Sequence, residues 1–339
     1  MTPPPITTIA GVFTYPIKGL APHPLPRATL TAGRPVPNDR RWALVSVPFA
    51  EGPFSPDELA HVMQARRLRA SPFRGRMVAL DADGRAVRGA PGQTVQTEAP
   101  RTLPPLPRFM RLPAAPPPLD AWRPRGRFLS LANQAGLPRF PITYAGDGGA
   151  AVVAGTMNRL DSSAARLRVA RALSDAFDDP LDRAIQIVEA PPDGHLADLP
   201  APLVSLVGLA TVRDLAAAMG LTAPVAAPGG RLNPAEEDRA WGGGLNPMRF
   251  RANIVLDGVP AWQELGWAGR TLRIGAARLR VVEPIERCVA IDADPAGGGR
   301  DLPVLETLDR RTGATRAGVC AEVIDGGEIG YGDPVMVDG

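Results

Sequence analysis

The stretch Met248-Arg-Phe-Arg-Ala-Asn-Ile-Val-Leu-Asp257 places basic and amide side chains at the start of a β-branched run, a pattern that predicts a strand. A second stretch, Glu286-Arg-Cys-Val-Ala-Ile-Asp-Ala-Asp-Pro295, places Cys288 beside Arg287. A neighbouring guanidinium favours the thiolate form of a cysteine, which is the form that binds soft metals. A cysteine near the end of a strand is also commonly a small buried hydrophobic residue. The residues alone leave both interpretations open.

Composition indicates a strand-rich chain with short elements. The 39 prolines and 36 glycines among 339 residues favour many turns and disfavour long helices. Short β-branched runs separated by glycine-bearing turns fill the sequence from residue 250 to the end, as is typical of a barrel. We therefore predict an α+β fold, mainly β, with two packed β-barrel-like domains and a few short helices.

The prolines also suggest where the domains divide. Residues 99–126 are so rich in proline that they exclude a regular helix or a central strand, and we interpret them as a linker or a wrapped surface segment. We assign residues 1–98 to an N-terminal β-barrel region, 127–200 to a helix-containing connection, and 201–339 to a C-terminal β-barrel domain. Within these domains helices are predicted at 56–70, 159–178 and 211–219, with Thr211 as the N-cap of the last.

Several classes of protein are excluded by charge and cysteine content. A net charge of +3 is too small to predict nucleic-acid binding, and two cysteines cannot form a disulfide-rich secreted scaffold. No signal peptide and no apolar run of about 20 residues is present, so we expect a cytoplasmic protein without a membrane anchor. Lys18 is the only lysine, which excludes a pyridoxal phosphate Schiff base on any other residue. The histidines match no zinc spacing, and no glycine-rich nucleotide loop occurs.

The C-terminal third resembles the MOSC domain, which is named for the C-terminal domain of molybdenum cofactor sulfurases. The resemblance rests on separated motifs in the same order, and residues 15–20 and 39–42 resemble the N-terminal region that accompanies the domain. This layout resembles the amidoxime-reducing component and its bacterial relatives. The matching C-terminal motifs lie at residues 249–255, 261–265, 269–275, 287–288, 294–295, 318–323 and 326–333.

The resemblance implies a molybdenum cofactor, held through its pyranopterin, with Cys288 as the metal ligand and catalytic centre. It implies that Lys18, Arg40, Arg251 and Asn253 bind the cofactor's anionic part, with Arg287 and Cys320 beside it. Between Arg40 and Arg41 we favour Arg40 as the cofactor contact and expect the other to pair with Asp39. His195 and Asp198 would lie in a loop that borders the cofactor.

Three departures from the family pattern bear on substrate and activity. Where relatives commonly have Gly-His before the Gly318 segment, this chain has Gly313-Ala. Where relatives often have Thr-Asn, this chain has Ile291-Asp292, which exchanges a hydroxyl and an amide for an apolar group and a carboxylate. Where relatives usually have Tyr, this chain has Cys320, so a second thiol is expected near the metal.

The resemblance implies a molybdenum-dependent oxidoreductase that reduces N-hydroxylated compounds with Cys288 as metal ligand. The chain has no ferredoxin-like cysteine set and no flavin motif, so electrons would come from a separate reductase or ferredoxin-like protein. The alternatives are a non-catalytic carrier of cofactor or sulfur, and a protein without cofactor in which Cys288 is buried and inert.

Overall fold

The computed structural model describes residues 6–48, 79–80, 86–88, 96–97, 127–128, 142–153, 156–176, 183–190, 196, 201–224, 239–295 and 300–338. The helix predicted at 56–70 and the proline-rich segment 99–126 lie outside these residues, as do His195 and Asp198.

Strands dominate the described residues, and the helices are few and short. The α-helices are α1 (Ser163–Ala176), α2 (Leu209–Ala218) and α3 (Val304–Thr312), and 3-10 helices span Pro247–Phe250, Gln263–Trp267 and Val289–Asp292. The strands are β1 (Thr8–Thr14), β2 (Ile17–Lys18), β3 (His23–Leu25), β4 (Arg27–Leu30), β5 (Trp42–Pro48), β6 (Ala79–Leu80), β7 (Ala86–Arg88), β8 (Gln96–Thr97), β9 (Arg127–Phe128), β10 (Ile142–Ala145), β11 (Ala150–Val153), β12 (Thr156–Arg159), β13 (Arg183–Glu189), β14 (Val204–Gly208), β15 (Ile254–Asp257), β16 (Thr271–Ile274), β17 (Ala277–Glu286), β18 (Arg316–Asp325), β19 (Gly327–Gly330) and β20 (Met336–Asp338).

The largest sheet has eight strands in the order β20-β16-β17-β18-β14-β15-β1-β3. Neighbouring strands are antiparallel except β14 and β15, which are parallel. A parallel pair needs a crossover, and α2 lies in the connection between these two strands. All five residues of β14 are buried, as expected for a central strand that is covered on both faces.

A second unit packs around β5. This strand pairs with β13, β2 and β9, and a three-stranded sheet of β10, β11 and β12 lies in the same part of the chain. Its core includes Trp42, Leu160 and Val169, which join β5 and α1. Ser162 accepts a hydrogen bond from the backbone N–H of Ala165 and so caps α1, as the sequence predicts for Asp161 or Ser162.

The prediction of a mainly β chain with few helices is confirmed, whereas the two-barrel arrangement is not. In the described residues the eight-stranded sheet is ordered from β20 to β3 without strand pairing between its ends. Backbone hydrogen bonds from residues 7–9 to residues 332–335 do connect β1 to the segment that precedes β20. Since this sheet combines strands from residues 1–98 and 201–339, the proposed domain boundaries stay a prediction.

Most predicted elements have counterparts with shifted ends. α1 lies inside the predicted 159–178. The helix predicted from Thr211 begins at Leu209, with Gly208 as its N-cap, so the assignment of Thr211 as N-cap is wrong. The hydroxyl of Thr211 instead donates to the buried carboxylate of Glu264.

Candidate functional site

The backbone of residues 250–252 is held by side chains from three separate parts of the chain. Three consecutive carbonyl oxygens each accept one hydrogen bond. Because charged donors bind carbonyl oxygens more strongly than neutral ones, this segment is firmly placed. The bonds are Arg287 Nη1 to Phe250 O at 2.7 Å, Arg40 Nη2 to Arg251 O at 2.7 Å, and Tyr15 Oη to Ala252 O at 3.2 Å.

Arg251 occupies the centre of this segment in a left-handed conformation, with φ of 49°. It is the C-cap of the 3-10 helix Pro247–Phe250, and the left-handed backbone ends that helix and reorients the chain before β15. Its Nη1 donates to the carbonyl oxygen of Leu20 at 2.8 Å. Its Nη2 is buried and has no hydrogen-bond partner among the described residues.

The ring of Tyr15 contacts two guanidinium groups. The guanidinium carbons of Arg40 and Arg251 lie 4.7 and 4.3 Å from the ring centre, which is the range of a cation–π interaction. Burial raises the pKa of Tyr15 to about 12, although the nearby Arg251 and Arg40 charges oppose the shift. The phenol therefore stays protonated and keeps donating to Ala252.

Arg40, and not Arg41 as expected, pairs with Asp39. Its Nη2 also donates to Arg251 O, and its contact with a cofactor stays a prediction. Arg41 instead contacts Glu189 and is largely exposed. The carboxylate of Asp39 accepts a further bond from the Tyr15 backbone N–H, at 2.9 Å, so it holds Arg40 and Tyr15 together.

Arg287, which is half-buried like Arg251, also has an unsatisfied donor. Its Nε donates to Ala317 O at 2.7 Å, while its Nη2 is buried without a partner in the described part of the chain. The buried Arg249 likewise has no partner for its Nε among the described residues. Burial and the nearby Arg40 charge together lower the pKa of both Arg251 and Arg287 to about 10. Each of these guanidinium groups keeps one buried N–H donor unused, and an anionic oxygen is a suitable acceptor for such a donor.

Cys288 is exposed, next to this positive cluster. It precedes the 3-10 helix Val289–Asp292 in an extended conformation, and its side chain makes no capping hydrogen bond. The burial of Cys288 expected in the cofactor-free alternative is therefore wrong, whereas the inertness of its thiol is not tested. An exposed thiol is accessible to a soft metal.

Cys320 differs from Cys288 in its surroundings. It is buried on β18, its Sγ donates to the carbonyl oxygen of Glu283 at 3.4 Å, and burial raises its pKa. Its charge also interacts with that of Arg287. Contact between Cys320 and a cofactor stays a prediction.

Asn253 and Lys18 are the remaining residues that were predicted to contact the cofactor. Asn253 is buried, accepts from Ser205 N and Ser205 Oγ at 3.1 and 2.8 Å, and donates to Phe13 O at 3.2 Å. These contacts give its amide a structural role between β1, β14 and β15. Lys18 is half-buried at the end of β2, where it pairs with Ala43. Cofactor contacts of both residues stay predictions.

The structure gives a physical reason for the departure at residues 291–292. Ile291 is buried in the core beneath α2 and α3. The Asp292 carboxylate accepts a hydrogen bond from Leu305 N at 2.8 Å, at the N-terminus of α3. Burial raises the pKa of Asp292, and this hydrogen bond opposes the shift. The added carboxylate is therefore used by α3.

Three residues that the sequence did not single out contribute to the site. Tyr15 contacts two arginines, Arg249 binds the backbone after Cys288, and Glu264 is a buried carboxylate whose charge interacts with that of Arg287. Glu264 accepts from Gly208 N and Thr211 Oγ1 at the N-terminus of α2, and burial raises its pKa. A carboxylate that lies 53 and 56 positions after its partners Thr211 and Gly208 carries no local signal of this role.

The described residues contain no cluster of three or more His, Cys, Asp or Glu side chains placed to hold a metal ion. None of their helices is both long and apolar enough to cross a membrane.

Comparisons with known proteins agree with the C-terminal assignment. A molybdenum cofactor sulfurase from Bos taurus is 38% identical over 63 residues, a match that spans 19% of this chain and 7% of the sulfurase. The crystal structure of the YUAD protein from Bacillus subtilis aligns over 98% of this chain and 94% of that protein, at 12% identity and a TM-score of 0.36. At this TM-score the similarity does not establish a shared fold. The MOSC domain family matches residues 205–336, so this part of the chain, which includes Arg251, Arg287 and Cys288, is a MOSC domain.

Proposed function

We propose that the protein binds a molybdenum cofactor beside Cys288 and acts as an oxidoreductase that reduces N-hydroxylated compounds. The proposal rests on two observations. The buried Nη2 atoms of Arg251 and Arg287 lack hydrogen-bond partners in the described part of the chain, and Arg287 directly precedes the exposed Cys288. A buried donor without a partner is costly, and an anionic ligand would remove that cost.

The residues present fit the proposed group. The pyranopterin carries a phosphate, and two unused guanidinium donors match such an anion. Cys288 would supply one thiolate ligand, and the cofactor's own sulfurs would leave positions open for oxygen and substrate. When bound, the cofactor would supply the two-electron chemistry of N–O reduction.

The chain's own residues would bind the anionic group of the cofactor and fix its position. Arg251, fixed by Leu20 O and the Tyr15 ring, would direct its free Nη2 to the anion. Arg287 would hold the anion with its free Nη2. Lys18 and Arg40 would add positive charge from the N-terminal region. Electrons would arrive from a separate reductase or ferredoxin-like protein.

Metal analysis tests the proposal. The protein, purified from a host that makes the cofactor, should contain about one molybdenum per chain, an expectation that follows from a single soft-metal ligand. Cys288→Ser should lose the metal, whereas Cys320→Ser should retain it. A wild-type protein without molybdenum would contradict the proposal, as would Cys288→Ser with full occupancy.

A second candidate is a non-catalytic carrier of cofactor or sulfur. The exposure of Cys288 and the short match to a molybdenum cofactor sulfurase favour it. Loaded protein, a chemical reductant and an amidoxime distinguish the two: turnover supports the oxidoreductase, and full metal occupancy without turnover supports the carrier.

A further inference from the structure

Two segments are tied together by a reciprocal pair of arginine side chains. Arg287 reaches from the cysteine segment to the carbonyl oxygen of Phe250, with its Nη1 at 2.7 Å. Arg249 reaches the other way, and its Nη1 lies 2.9 Å from the carbonyl oxygen of Asp292. Cys288 lies between the two attachment points, so the backbone on both sides of it is anchored to the same 3-10 helix, Pro247–Phe250.

Arg249 is unusually constrained for an arginine. Its side chain is 3% exposed, and its Nη2 lies 2.7 Å from the carboxylate of Asp301. A buried guanidinium is costly unless its donors are bound, and the planar fork lets Nη1 and Nη2 hold a carbonyl and a carboxylate together. The third donor, Nε, is buried and has no partner among the described residues. A lysine at this position could not hold both with fixed geometry.

Asp292 extends the anchorage to α3. Its carbonyl oxygen also accepts from Asp301 N at 3.1 Å, and its Oδ1 accepts from Leu305 N at 2.8 Å. On the N-terminal side of Cys288, Arg287 N donates to Thr315 O at 2.7 Å, which fixes the backbone next to Cys288. The segment between Arg287 and Asp292 therefore has little freedom, although the thiol itself is exposed.

We propose that Arg249 is a positioning residue that fixes the backbone around Cys288 through its contact with Asp292. It acts through Asp292 and touches no reacting group. The consequence for metal retention rests on the proposed function, whereas the consequence for the backbone does not.

Amide hydrogen exchange of the cofactor-free protein tests the backbone. The N–H groups of Ile291 and Ala293 donate to Cys288 O and Ala290 O, so they report on this loop. Arg249→Lys should speed their exchange on the order of tenfold, because loss of a charged hydrogen bond favours local opening. Asp301→Ala removes only the ion pair and should give a smaller rise.

Arg166 provides a matched control. It is also mostly buried, and its Nη1 binds a carbonyl oxygen and a carboxylate, those of Leu160 and Glu189, at 2.6 and 2.8 Å. Arg166→Lys should lower the stability of its own unit and leave exchange at Ile291 and Ala293 at the wild-type rate. This comparison separates positioning of the loop from a general loss of stability.

Metal retention gives the second measurement. If wild-type protein binds molybdenum, Arg249→Lys should shorten the half-time of metal loss on dilution several-fold, while Arg166→Lys should not. Wild-type exchange rates in both Arg249→Lys and Asp301→Ala would overturn the inference. Faster exchange in a protein that never binds molybdenum would uphold the role of Arg249 and refute the proposed function.

Discussion

The guanidinium carbon of Arg251 lies 4.3 Å from the centre of the buried Tyr15 ring. The contact joins the N-terminal strands to the MOSC domain at the point where an arginine donor is left unused. The ring covers the guanidinium without consuming its N–H groups, since a cation–π contact uses the face of the ring. Burial and an available donor can therefore coexist in Arg251.

Tyr15 should contribute to stability through both its ring and its hydroxyl. Tyr15→Phe leaves the Ala252 carbonyl without this donor and should cost about 1–3 kcal/mol of unfolding free energy. Tyr15→Leu also loses the cation–π contacts and should cost more. Urea unfolding measures both, with Tyr331→Phe, at an exposed site, as the control. Equal stability of Tyr15→Phe and wild type would show that the hydroxyl contact is unimportant.

Inorganic phosphate should stabilise the cofactor-free protein. Binding only to the folded state adds about 1.4 kcal/mol at ten to twelve times the dissociation constant, which raises the melting temperature. Arg251→Lys or Arg287→Lys should lose at least half of that rise, since a lysine lacks the fork that holds two anionic oxygens. Sodium chloride at matched ionic strength and Arg278→Lys, on the outer sheet face, are the controls. An undiminished rise in both site variants would exclude an anion site there.

The two cysteines should differ sharply in alkylation. Iodoacetamide should modify Cys288 in the native protein on the order of a hundredfold faster than Cys320, because a buried thiol reacts only after local opening. The raised pKa of Cys320 acts in the same direction. Mass spectrometry after a timed reaction measures both sites, and urea-unfolded protein should react at both. Comparable native rates would disprove the burial of Cys320.

Glu264 should make stability fall as pH rises. Burial raises its pKa in the folded state, so between the unfolded and folded pKa values the folded protein binds more protons than the unfolded chain. Stability is then greatest below the unfolded pKa, about 4.3, and decreases as pH rises through the folded pKa. Glu264→Gln should remove this component, measured by urea unfolding from pH 4 to pH 8.

Glu286→Gln is the matched control for that pH series. Hydrogen bonds from Thr315 and Arg316 lower the pKa of Glu286, so its contribution is present above the unfolded pKa and is lost as pH falls. The two variants should therefore change the pH dependence in opposite directions. A change of the same sign in both would contradict the assignment for Glu264.

Asn253→Ala should destabilise the chain whether or not a cofactor binds. The change deprives Ser205 and Phe13 of buried hydrogen-bond partners, at an expected cost of about 2–4 kcal/mol. Gln263→Ala, which changes an exposed amide side chain, should cost less than about 0.5 kcal/mol. Asn253→Ala with wild-type stability would favour a role in binding alone.

Local patterns predicted much of the secondary structure. The helices predicted at 159–178 and 211–219 have counterparts in α1 and α2, and Gly220, directly after the second predicted range, has a φ of 69°. Runs of β-branched residues and a glycine after a helix act through the backbone of a few neighbours, which is why the sequence reveals them. Helix starts were less well predicted, because Glu264, far along the chain, satisfies the N-terminus of α2.

The sequence by itself determined the mainly β character, the adjacency of Arg287 and Cys288, and the residue types near the proposed cofactor. Only the tertiary structure decided which thiol is exposed and which arginine donors are unused. It also decided that Asp292 serves a helix and that Arg249 holds the loop. Strand and turn preferences are local, whereas burial and donor–acceptor pairing depend on residues more than 200 positions apart, as in the bond from Tyr15 to Ala252. Such contacts exist only once the chain has packed.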